Sequence, residues 1–380
     1  MLLETSLILT ALATALAVHR RARRRGGRAL PAVVAIALLC AVLVALAADQ
    51  RRRVADTPTS RLIKHNLAVL RAHLADPSLR TLLIVDGGSY PTRGLNGERF
   101  GAVLSQRLGR RVGIVQMSQG SANHFERYDA FRRLLAELDA GERQQLRQKD
   151  LHLLLEVQRG YDASPMAQFQ KMAYSDRAYA YLGPGNAWAA MRSLSQVGAA
   201  RARANAGPRT RDLIAHALVN GFLLDAVGRR QRVEDLPRDM PGYLPLRAGR
   251  QDFAFPGLQD VRDRLEQDRE PGMMAWVDSI RVPRLQALFG DLIDQTSFYA
   301  VPTTYPDYAT YARAFCRKHA GSVCVHYADP RLLQRLDAAA MWADKGHLSQ
   351  RGAFVYSTWL AGRLAATLSV TASEPARRPE

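Results

Sequence analysis

Three side chains in this sequence would make a proton-transfer system if the fold brings them together. Ser89 stands in IVDGGSYPTRG, just past an apolar run, and Asp344 and His347 stand three apart in MWADKGHLSQRGAF. A serine hydroxyl is a weak nucleophile at neutral pH. It needs a base to take its proton and donors to hold the oxyanion that forms. Histidine suits the first task, and a neighbouring carboxylate fixes its tautomer and stabilises the imidazolium. The i, i+3 spacing puts Asp344 and His347 on one face of a turn or helix start. Each residue also has an ordinary reading. Gly-Gly-Ser after a strand is a common turn, an aspartate caps helices, and a histidine packs as a ring.

A scaffold for these residues is visible in the hydropathy pattern. RLIKHNLAVLRAHLA (Arg61 to Ala75) has helical spacing, and RTLLIVDGGS reads as a buried strand opening into a glycine loop. NGERFGAVLSQRLG is an amphipathic helix that stops at Gly109, RVGIVQMSQGS a second strand and loop, HFERYDAFRRLLAEL a helix, and DLHLLLEVQRGYD a third strand and loop. The rhythm is lost from Asp162 to about Asp291, where helical stretches alternate with Pro/Gly-rich pieces such as YLGPGN. GPGN (Gly183 to Asn186) reads as an ordinary turn, with an anion-binding nest as the alternative. The rhythm returns with TSFYAVP, DYATYARAFCRKHA, SVCVHYADP, RLLQRLDAAA and a closing helix GAFVYSTWLAGRLAATL. Alternating strands and helices predict a parallel sheet covered on both faces, with its chemistry at the carboxyl ends of the strands. The expected organisation is an α/β domain over 61–368 with a helical insertion at about 163–291 and a disordered tail at 369–380.

The N-terminus predicts a membrane anchor over residues 1–48. Ala29 to Ala48 is an uncharged apolar stretch long enough to span, and Leu2 to Val18 is a shorter candidate. Six arginines lie between them, which keeps that loop cytoplasmic and places everything after Ala48, beginning with a linker at 49–60, outside. The whole chain of 380 residues carries a net charge of +18. That charge suits acidic polysaccharide, anionic lipid or nucleic acid, but no zinc finger, RRM signature or basic-aromatic pattern is present, so nucleic acid is not an expected partner. No C-x-x-C or H-E-x-x-H occurs, and neither a metal nor a cofactor is expected. Cys40 falls in the second span. Cys316 and Cys324 flank a short loop and either pair or pack separately.

The pieces DGGSY, MSQGSANHFE, EVQRGYD and DKGHLSQRGA stand in the order of the blocks of the SGNH (GDSL-type) hydrolases, which the chain resembles over roughly Arg80 to Asp162 and Asp294 to Leu368. The last block is the most specific. The resemblance implies a three-layer sandwich around a parallel sheet, with Ser89 as nucleophile, His347 as base and Asp344 as the orienting acid. It also implies an oxyanion hole made by the Ser89 N–H, the N–H of Gly120 (or Ser118 in a shifted register) and an Asn side chain from the third block. That Asn is missing here, and Gln158, Arg159 or Asn123 would stand in for it. His124 is a rival base that reads better as a helix start, and Asp86 reads as a strand-end carboxylate. Tyr90 and Trp342 are pocket or core residues.

Anchored SGNH domains facing outward are similar to proteins that add or remove acyl groups on cell-envelope polymers such as teichoic acid and alginate. The resemblance therefore implies a bacterial inner-membrane protein with its catalytic domain in the periplasm or outside. Its partners would be an acyl donor, a polysaccharide acceptor and a membrane-bound O-acyltransferase. A plain carbohydrate esterase and an inactive scaffold of the same fold are the alternatives.

Overall fold

Thr57 caps the first described helix, α1 (Pro58–Ala75). Its side chain accepts the Ser60 N–H, and Pro58 occupies a first-turn position where no donor is needed. The hydroxyl-rich residues that read as the end of a linker at 60 are thus a helix start. Contacts divide the chain between Asp56 and Thr57. The computed structural model describes residues 57–159, 253–267 and 277–372, together with 189, 192 and 246. The expected membrane spans, Cys40 and the turn at 183–186 lie outside the described residues; of the tail expected to be disordered over 369–380, residues 369–372 continue the last helix and 373–380 lie outside the described residues. Among those described, no helix is long and apolar enough to cross a membrane.

Numbered in chain order, the elements after α1 are β1 (Thr81–Gly87), α2 (Ser89–Gly94), α3 (Gly97–Leu108), β2 (Val112–Ser118), α4 (His124–Ala136), α5 (Ala140–Arg147) and β3 (Asp150–Glu156). Then follow α6 (Gln259–Glu266), α7 (Val282–Phe289), β4 (Gln295–Tyr299), α8 (Pro306–Lys318), β5 (Cys324–Val325), α9 (Pro330–Leu336) and α10 (Gln350–Ala372). The five strands form one all-parallel sheet in the order β2-β1-β3-β4-β5. Every residue of β1 is buried. Leu82, Leu83, Ile84 and Val85 are each at most 2% exposed, and each such side chain contributes roughly 1.5–3 kcal/mol by leaving water. The apolar run thus becomes the central strand. Successive residues of a strand face opposite ways. A Cβ on Gly113 would meet His73 of α1, whereas Ile114 packs toward Gly97 and Gly101 of α3. Helices therefore cover both faces of β2.

Local signals set the helix limits. Asn96 caps α3, and Gly109 ends it in the left-handed region at φ 63°, where a side chain would be strained. α5 was not foreseen. It buries only Leu146, yet Asp139 and Glu142 form a complete capping box at its start. β5 is shorter than SVCVHYADP suggested, with two residues paired to Phe298 and Tyr299. A disulfide joins Cys316 near the end of α8 to Cys324 at the start of β5. Where the helical insertion was expected, α6 and α7 are helical as read. Their Val261, Leu265, Leu285 and Phe289 lie in the same core as the sheet, as do Val277 and Ile280 of the π-helical turn before α7. These stretches belong to the α/β body.

The order of the strands matters for function. The chain runs outward from β1 to β2 on one side, then returns past β1 to β3, β4 and β5 on the other. The loops after β1 and β3 therefore diverge at the carboxyl edge and leave a crevice, the usual ligand position in such sheets. Ser89 follows β1, and Glu156 ends β3.

Candidate active site

Asp344 and His347 form the best-defined part of the site. They lie in the turn between α9 and α10, which is closed by a bridge between Trp342 and Leu348. Asp344 Oδ1 accepts the backbone N–H of Gly346 at 2.8 Å and of His347 at 3.0 Å. The same carboxylate faces His347 Nδ1 at 2.9 and 3.0 Å. A carboxylate can only accept, so Nδ1 carries the proton and Nε2 is left as the base. Burial pushes the Asp344 carboxyl up, but the His347 hydrogen bond, its charge and the two N–H donors outweigh that effect and hold it below the usual aspartate range. His347 Nε2 is buried and has no hydrogen-bond partner. A buried polar atom left without a partner costs stability, and such atoms call for a functional explanation.

The glycine of this motif has a steric reason. A Cβ on Gly352 would sit 2.1 Å from the Met341 carbonyl oxygen. The first turn of α10 thus presses directly on the strand-like segment before Asp344. Neither backbone can yield without displacing the dyad, so Gly352→Ala is expected to lower stability by about 1–3 kcal/mol. A urea melt of this variant beside wild type measures it, and an unchanged midpoint would remove the argument.

Ser89 opens α2, one residue past Gly88, and is half-buried. The structure brings its turn against the dyad. The ring of the next residue, Tyr90, lies 5.2 Å from the His347 ring between centroids, and a Cβ on Gly346 would come within 3.0 Å of Tyr90. It does not join Ser89 Oγ to Nε2 by a hydrogen bond. Catalytic hydrogen bonds of this type are often long before substrate binds and tighten afterwards. Tyr90 also meets Tyr308 edge to face, and burial raises its phenol far above the ordinary range, so it stays neutral. Trp342 resolves as core. It is fully buried, donates to the Leu336 carbonyl at 2.8 Å and stacks on Phe255.

The second loop adheres to the first. Ser118 pairs with Gly87 across β2 and β1, and the Gln119 N–H donates to the Gly87 carbonyl at 2.9 Å. Gly120 follows directly and is buried. Asn123 is the N-cap of α4, its side-chain oxygen accepting the N–H groups of Phe125 and Glu126. In the third loop, Gln158 is buried just past β3, while the half-exposed Arg159 reaches Asp307 at 3.4 Å. Of the three substitutes for the missing Asn, Gln158 is the one buried at the strand end without a capping duty.

Sequence reasoning missed the floor of the site. Asp86, next to last in β1, and Glu156, last in β3, are buried with Arg127 of α4 and Arg281, which enters α7 from the π-helical turn Val277–Arg281. Arg127 spans Glu156 Oε2 at 2.7 Å and Asp86 Oδ2 at 3.0 Å. Arg281 reaches the same Asp86 oxygen at 3.0 Å and the Glu156 carbonyl at 2.6 Å. The Tyr299 hydroxyl donates to the Asp86 carbonyl at 2.8 Å. Burial pushes the Glu156 carboxyl up, with Arg127 and the Gly88 N–H pulling it back in part. His124 is the first residue of α4, as its sequence suggested. Its Nδ1 accepts from Arg127 at 2.7 Å, and burial, then Arg281 and Arg127, hold its pKa well below the ordinary value. It is a neutral member of this floor. A signal for Arg127 was present: it stands four and seven residues before Phe131 and Leu134, on their buried face.

In comparison with known proteins, the chain matches no family model and no curated protein.

Proposed function

We propose that this chain is a membrane-anchored, extracytoplasmic acyltransferase of the SGNH type, built as a three-layer sandwich and acting on a cell-envelope or exported polysaccharide through an acyl-serine intermediate. One observation carries the reading: a histidine locked by a carboxylate at Nδ1, with its buried Nε2 unpartnered, abuts the serine turn at the carboxyl edge of the central strand. In this mechanism His347 Nε2 takes the Ser89 proton as Oγ attacks the acyl carbonyl. The N–H groups of Ser89 and Gly120, with Gln158, hold the oxyanion. The imidazolium then protonates the leaving group as the carbonyl re-forms. A sugar hydroxyl next attacks the acyl carbonyl as His347 takes its proton; the acyl–Oγ bond then breaks, and the imidazolium returns the proton to Ser89 Oγ.

The Cys316–Cys324 disulfide supports an oxidising compartment, in keeping with the charge asymmetry around the apolar spans. The strongly basic chain suits an acidic acceptor. The test is p-nitrophenyl acetate turnover by the full chain in detergent, with and without an acidic oligosaccharide. Transfer predicts acetylated oligosaccharide and faster release of nitrophenol. Nitrophenol release indifferent to the oligosaccharide indicates an esterase, and no release from either indicates a scaffold.

A further inference from the structure

The acidic group closest to the serine turn in the hydrogen-bond network is not Asp344 but Glu156. Its Oε2 accepts the Gly88 N–H at 2.6 Å. The carbonyl of Gly88 accepts in turn from Thr92, at 2.7 Å from Oγ1 and 3.3 Å from N. Both polar groups of the residue preceding Ser89 are therefore fixed, one to β3 and one within α2. Glu156 is itself fixed. It is 0% exposed, and Arg127 holds the same Oε2 while Arg281 grips its carbonyl.

We propose that Glu156 is a positioning residue for the nucleophile. Held by Arg127, it clamps the Gly88 peptide so that Ser89 starts α2 at a set height above the sheet, with its own N–H directed to the oxyanion rather than spent on the protein. Three features require an explanation of this kind. A glutamate is buried at the end of β3, directly after the buried run Leu153–Leu155. Two arginines from distant parts of the chain are buried to neutralise it and Asp86. The carboxylate oxygen that Arg127 holds is the one that receives the Gly88 N–H. Burying four charges is costly, and apolar side chains of similar volume would often be as stable. A charge-assisted acceptor, by contrast, is shorter and roughly twice as strong as a neutral one. Displacing a catalytic group by about 1 Å can cost on the order of 100-fold in rate. The inference rests on the reading of Ser89 as nucleophile.

The test uses Glu156→Gln, which keeps an acceptor but loses the charge, and Glu156→Asp, which keeps the charge but withdraws it from Gly88. Each is compared with wild type and Ser89→Ala in the full chain, for fluorophosphonate labelling rate, for kcat and KM on p-nitrophenyl acetate, and for amide exchange of the peptide covering Gly88. The expected result is that labelling and kcat fall about 10-fold in the Gln variant and about 100-fold in the Asp variant. KM should hold, and Gly88 should exchange faster. Variants that stay folded and label within twofold of wild type overturn this proposal and leave the Ser89 reading intact. Labelling of wild type that persists in Ser89→Ala, or no labelling at all, overturns both. If neither variant folds, Glu156 is a structural residue and the proposal also falls.

Discussion

His347→Ala is expected to slow fluorophosphonate labelling of Ser89 by on the order of 10,000-fold, which corresponds to about 5.5 kcal/mol of activation barrier. The tautomer of His347 sets this loss. Asp344 faces Nδ1 with both oxygens, so the proton resides there and Nε2 is the only site on the ring that can take another. Without the imidazole, Ser89 must lose its proton to water, and its attack on phosphorus becomes as slow as that of an unassisted alcohol. Asp344→Asn separates orientation from shape. The amide oxygen of Asn can still accept the N–H groups of Gly346 and His347 that close the turn. It can no longer accept from Nδ1–H with both atoms, so the ring is driven toward the wrong tautomer. A comparable loss of labelling with an intact fold is expected. If instead His347 were only a packed ring, its removal would cost stability through the contact with Tyr90 and leave labelling unchanged. Mass spectrometry of the labelled peptide decides between these, since the adduct must lie on Ser89.

How much of this was legible depends on range along the chain. Asp344 and His347 could be paired on paper because they are three residues apart, and one turn brings them together. Ser89 was legible because Gly-Gly after an apolar run is a local signal. β1 was legible because burial on both faces of a parallel sheet shows as an apolar run, Leu82–Val85, and β2 and β3 carry shorter ones, Ile114–Val115 and Leu153–Leu155. The floor of the site was not. Asp86 and Arg281 are 195 residues apart, and no local pattern in the sequence reveals which buried arginine neutralises which carboxylate. Arg281 was the hardest to find, because it lies in a stretch that reads as an insertion over the sheet and instead reaches beneath the serine turn. α5 illustrates the opposite failure. Its cap was written in Asp139 and Glu142, but with one buried residue it has no apolar stripe for a periodicity search to detect.

That floor carries the second large effect, on stability. Arg127→Met is expected to destabilise the domain by about 3–5 kcal/mol, because it leaves Asp86 and Glu156 buried with one arginine between them. Arg127 is 3% exposed, and its two carboxylate partners are 1% and 0% exposed, so water cannot take over its role. At roughly 2–4 °C for each kcal/mol in a domain of this size, the melting temperature falls by about 10 °C. A surface pair provides the contrast. Arg147 and Asp291 approach to 2.9 Å but remain 43% and 73% exposed, and Arg147→Met should shift stability by no more than about 1 kcal/mol. The charge origin of the Arg127 effect is separable from lost packing by a double-mutant cycle. Glu156→Gln placed on Arg127→Met removes the stranded charge, so part of the stability should return. On the wild-type background the same change breaks a pair and should only destabilise. Strict additivity of the two changes in urea midpoints would mean that Arg127 acts by filling space, and the description of the floor as a charge-balanced clamp would then have to be abandoned.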